Sequence, residues 1–118
     1  MESIEDHFKY FLQRDIVISL DNKILKEGKL VLFSQKDYYL IFYLKNSNQE
    51  QKKFELPYPF DVRLEKNYLI LDYELEALSK QDAELFYRLR SITQKSKSKY
   101  LNNKILLFEK NSLDLEVL

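Results

Sequence analysis

The chain of 118 residues contains a single glycine, Gly28, inside "LDNKILKEGKLVLF" (residues 20–33). No other feature restricts its options as strongly. The glycine-rich phosphate loops, GxGxxG and GxxxxGK[ST], cannot be written with one glycine, so nucleotide chemistry of the common kinds is not expected. An isolated glycine within a strand pattern marks a bend or a bulge. Cysteine is absent and there is one histidine, His7. Disulfides, thiolate zinc sites, a cysteine nucleophile and two-histidine catalysis are therefore excluded. No serine has the local signature of an activated nucleophile. An enzyme is the least supported class, and no cofactor or metal is expected.

The formal net charge is zero, so any case for nucleic acid must come from local patches. Hydrophobic residues make up 45% of the chain, enough for one globular domain. No stretch reaches the length of uncharged apolar sequence that a membrane helix requires. The opening "MESIEDHFKY" is acidic and amphipathic, unlike a signal peptide, so a cytoplasmic protein with no membrane partner is expected. Abundant Lys, Asn, Ile and Tyr would suit an AT-rich bacterial or phage genome.

Periodicity supplies the elements. "SIEDHFKYFLQR" places Ile4, Phe8, Phe11 and Leu12 at helical spacing, with Ser3 and Asp6 as a variant capping box. His7 reads as a boundary residue beside that stripe. From Asp15 the period becomes 2, and "IVISL", "ILKEGKLVLF", "YYLIFYLK" and "KKFELPY" read as strands separated by "DNK", "SQKD" and "NSNQEQ". Pro57 and Pro59 end the pairing. "DVRLEKNYLILDYEL" supplies one strand, or two joined at 65–67. "SKQDAELFYRLRSITQK" returns to helical spacing, with Ser79 and Asp82 as its cap and Leu85, Leu89 and Ile92 as its stripe. The short run "ILLF" (105–108) and a final "NSLDLEVL", an edge strand or a disordered tail, complete the chain.

The opening stretch resembles the first motif of the Sm-like (Sm/LSm) family. Ile18, Leu20, Gly28, Leu30 and Phe33 stand at the motif's spacings, and the resemblance covers about residues 4 to 73. It implies a mainly β fold, an Sm-like small five-stranded antiparallel barrel with an N-terminal helix and a C-terminal helical extension. Residues 1–78 would be the barrel and 79–118 a helix and tail of the same domain. Gly28 would be a barrel corner. The family's RNA-pocket residues are not preserved: Ser34, Lys36 and Tyr38 stand where Asp, an aromatic or His, and Asn are usual, and Leu64 replaces the glycine of the second motif. The resemblance further implies homo-oligomeric rings formed by pairing edge strands, for which "KKFELPY" and "NYLILDY" are the candidates.

The candidate RNA-binding residues each carry two readings. Tyr38 or Tyr39 would stack a base and Lys36 hold phosphate, or this stretch is a hairpin turn flanked by core tyrosines. Arg63 would contact RNA near a ring centre, or lie along a strand facing water. Arg88, Arg90, Lys95, Lys97, Lys99 and Lys104, interleaved with Tyr87 and Tyr100, would form a nucleic-acid arm or a solvated helix face. Asp72, Glu74 and Glu76 would bind a hard cation or keep one strand face wet. The expected function is a non-catalytic, ring-forming RNA-binding protein; the alternative is an oligomeric assembly or adaptor protein without nucleic acid. A monomeric barrel that binds a small ligand or peptide is the third reading.

Overall fold

The computed structural model describes residues 4–21, 23–90 and 103–112. Helix α1 (Ile4–Lys9) precedes strands β1 (Asp15–Leu20), β2 (Lys23–Lys36), β3 (Tyr39–Lys45), β4 (Gln51–Pro57), β5 (Asp61–Glu65) and β6 (Tyr68–Asp72). A 3₁₀ turn (Leu75–Ala77), helix α2 (Lys80–Arg90), strand β7 (Lys104–Glu109) and a second 3₁₀ turn (Lys110–Ser112) follow. No helix among the described residues is long and apolar enough to cross a membrane.

The fold is mainly β, as expected, but it is not a closed five-stranded barrel. It is one open antiparallel sheet of seven strands in the order β4-β3-β2-β1-β7-β6-β5. One added strand comes from the residues after Asp61, which form two strands around a turn at Lys66-Asn67. The other is β7, which contains the 105–108 run and inserts between β1 and β6. A strand covered on both faces loses its alternation. In β7, Ile105, Leu107 and Phe108 are buried, so "ILLF" carries no period of 2.

The sheet curls around one core without closing. Ile16, Ile18 and Leu20 of β1, Leu40 and Phe42 of β3, Leu56 of β4, Leu69 and Leu71 of β6 and Leu107 of β7 all join a single buried cluster. The buried Tyr73 hydroxyl donates to the Pro57 carbonyl at 2.7 Å. The Phe60 N–H donates to the Asp72 carbonyl at 2.7 Å, so the end of β4 and the start of β5 lean on the end of β6. Helix α1 sits against β2 and β5, where Phe8 stacks on Phe33 at 4.1 Å and meets Phe42 edge-on at 5.4 Å. That helix is shorter than its apolar pattern suggests. It ends at Lys9, Gln13 turns the chain with a φ of 68°, and Leu12 is 37% exposed rather than part of the stripe.

Helix α2 starts where its cap predicts: the Ser79 hydroxyl accepts the Asp82 N–H at 3.1 Å. Its buried contacts come from Phe86, which packs on Tyr73 at 4.6 Å, and from Tyr87, while Leu85 is half-buried. Ser3, the Leu89 side chain and Ile92 lie outside the described residues.

Strand β2 explains the glycine. Residues 23–29 pair with β1 and residues 29–36 with β3, so the strand changes partner at its bend. Gly28 sits at this changeover with a φ of +153°, and a Cβ there would lie 2.7 Å from the Lys45 carbonyl oxygen and 3.3 Å from Leu44 Cβ. The backbone conformation and the close approach of β3 both require glycine. It marks the bend of an open sheet, in place of the corner of a closed barrel.

Candidate interaction surface

With its one glycine spent in β2, the chain makes its tight turns from other residues. The β2–β3 hairpin closes through Asp37 (φ 53°) and Tyr38 (φ 66°), and the β5–β6 hairpin through Lys66 (φ 55°) and Asn67. The β2–β3 turn thus has positive φ at both central positions, the geometry that Asn-Gly ordinarily supplies to a two-residue hairpin. A side chain held there costs about 1–2 kcal/mol. Tyr38 is 85% exposed. It gains no burial in return for that strain.

Two more aromatic rings lie exposed in the same neighbourhood. The Tyr58 N–H donates to the Tyr38 carbonyl at 2.8 Å, which fixes the segment after β4 against the hairpin tip. Tyr58 is partly exposed and Phe60 is 69% exposed. Tyr58–Val62 and the α1 residues Ile4 and His7 line a shallow cavity of about 190 Å³. The tip is also anchored to α2, since the Tyr39 hydroxyl donates to Asp82 Oδ1 at 2.6 Å. That hydrogen bond, reinforced by burial, raises the Tyr39 pKa above its ordinary value. Sequence reading missed Tyr58 and Phe60. Their signal was the "PYPF" stretch, where two prolines alternate with two aromatics and prevent further pairing.

The other candidate residues are placed apart. Lys36 is exposed at the end of β2, paired with Tyr39 beside Tyr38. Arg63, on β5, donates from Nε to Glu65 at 2.9 Å and from Nη1 to Asp72, with Asp61 at 3.7 Å. The hydrogen bonds to Glu65 and Asp72 raise its pKa further. Three carboxylates surround one guanidinium, so this face of the sheet is acidic. Arg88 is exposed on α2 and lines a groove with Tyr39, Glu55 and Asp82. The Arg90 side chain, Lys95, Lys97, Lys99 and Tyr100 lie outside the described residues. Asp72 ends β6 while Glu74 and Glu76 follow it, so alternation does not align the three, and no cluster suited to a metal ion occurs among the described residues.

The two outermost strands complete the surface. Among the described residues β4 pairs only with β3, and β5 only with β6. Strand β4 presents exposed Lys52, Lys53 and Glu55, whereas β5 presents Asp61 and Glu65 around Arg63, and Leu64 of β5 is 58% exposed. Lysines on an edge discourage indiscriminate strand pairing. An acidic edge with an apolar side chain is their complement. No protein-family model, no curated protein and no solved structure matches the chain.

Proposed function

We propose that the protein is a non-catalytic assembly or adaptor module, related in mode to the Sm-like proteins its first motif resembles, that associates with copies of itself edge to edge. The observation that carries this reading is the pair of outer strands without a further partner among the described residues, β4 with Lys52 and Lys53 beside Glu55 and β5 with Asp61 and Glu65 beside Arg63, on a single curled sheet. Main-chain hydrogen bonds between β4 of one copy and β5 of the next supply affinity, and Lys52 and Lys53 against Asp61 and Glu65 set which edges meet. Leu64, exposed in one copy, becomes covered. The aromatic group at Tyr38, Tyr58 and Phe60 then remains as the contact surface for a partner. Light scattering of the protein and of Leu64→Lys tests this: the parent is expected as a multi-subunit particle and the variant as smaller species. A parent that is monomeric at every concentration contradicts it.

RNA binding is the second reading. It is favoured by one observation, the exposed ring of Tyr38 beside Lys36. A stacked base contributes about 1–3 kcal/mol, so Tyr38→Ala is expected to weaken RNA binding at least several-fold, measured by fluorescence anisotropy. Equal affinity in parent and variant removes this reading.

A further inference from the structure

The bend of β2 leaves a third strand edge without a partner among the described residues. Residues Lys23–Gly28 hydrogen-bond to β1 on one side, while β3 pairs with β2 only from Lys29 onward. On the open side a groove of about 300 Å³ runs between this edge and the β3–β4 hairpin. Leu44, 3% exposed, and half-buried Leu25 form its apolar part, and Ile24 stands 51% exposed at its margin. The hairpin wall is stiffened by Asn46, whose Oδ1 accepts the N–H groups of Asn48 at 2.9 Å and Glu50 at 3.0 Å.

The groove is lined by two lysines, Lys26 and Lys52, and two glutamates, Glu27 and Glu50. Glu27 is engaged by Lys110 at 3.1 Å and Glu50 accepts from Asn46 Nδ2 at 3.3 Å. The two lining lysines, Lys26 and Lys52, have no ion pair among the described residues. A backbone edge without a partner among the described residues, an apolar strip and two ammonium groups without ion pairs together suit an extended segment with carboxylates at alternate positions.

We propose that the Lys23–Gly28 edge of β2 takes up, as an added strand, an extended peptide in which apolar residues alternate with carboxylates. Apolar side chains of the peptide cover Ile24 on one face of the sheet, and its carboxylates face Lys26 and Lys52 on the other. The chain's own sequence contains this pattern at 113–118, Leu-Asp-Leu-Glu-Val-Leu, outside the described residues. The proposal stands independently of edge-to-edge assembly through β4 and β5.

The test is amide NMR of the full chain, and of a full chain carrying Asp114→Lys and Glu116→Lys so that its own segment does not compete. The probes are the peptide Leu-Asp-Leu-Glu-Val-Leu, its Lys-for-acid counterpart and an oligouridine RNA. The acidic peptide is expected to shift the amides of Lys23–Gly28 in one or both proteins. Ile24→Ser and Lys26→Glu, both folded as judged from their spectra, are expected to bind it roughly three- to tenfold more weakly. Silence of these amides in both proteins overturns the proposal. So does an equal response to the lysine peptide, or a response to RNA alone.

Discussion

At the scale of single residues, backbone conformation decides more than side-chain chemistry. Gly28 combines a φ of +153° with a Cβ position only 2.7 Å from a carbonyl oxygen. Gly28→Ala is therefore expected to destabilise the fold by about 1–3 kcal/mol, read as a lower urea midpoint with unchanged slope. Tyr38 is the converse case: Tyr38→Asn should relieve backbone strain and stabilise by about 1 kcal/mol in the same assay. If the exposed ring is a contact residue, the more stable variant will bind its partner less well. Tyr73 gives a pH dependence. It is 4% exposed, and burial raises its phenol far above the ordinary 10.0. Its contribution is thus complete below pH ~10 and is lost above it, where the unfolded phenol ionises and the folded one does not, at up to about 1.4 kcal/mol per pH unit. Tyr73→Phe should be less stable at neutral pH by about 1 kcal/mol, because the Pro57 carbonyl loses its donor. It should also fall less steeply between about pH 10 and 11 in urea titrations.

At the scale of elements, legibility followed the number of covered faces. Strand β2 was readable with its bend, because one glycine in an alternating run signals a change of direction. The Ser79 cap was readable because a hydroxyl three residues before an acidic residue needs no tertiary context. Strand β7 was not. "ILLF" is four apolar residues without alternation, and only its place between β1 and β6 makes it a strand. The end of α1 was misread for a related reason. Phe11 belongs to the core and continues the helical spacing, but it is delivered by the turn after Lys9, with the Phe11 N–H bonded to the Phe8 carbonyl at 3.0 Å. For the candidate site, Lys36 and Tyr38 were found as neighbours at a hairpin. The ion pairs of Arg63 were only half legible: Asp61 and Glu65 share its strand face, but Asp72 reaches it only across the ladder.

At the scale of the whole molecule, the open sheet is the feature from which function follows. Seven strands curl around one core and leave β4 and β5 without further partners among the described residues. Free edges of opposite charge favour regular association over random aggregation. The cluster of Asp61, Arg63, Glu65 and Asp72 makes the β5 edge acidic, which in the proposed assembly complements the lysines of β4. Light scattering of the native protein at about 0.1 M and about 1 M salt, where the screening length falls from roughly 10 Å to 3 Å, tests this most directly. Backbone pairing and the covering of Leu64 should hold a defined multi-subunit mass at the lower salt, with only partial loss at the higher. A mass equal to one chain under both conditions would contradict assembly through the sheet edges.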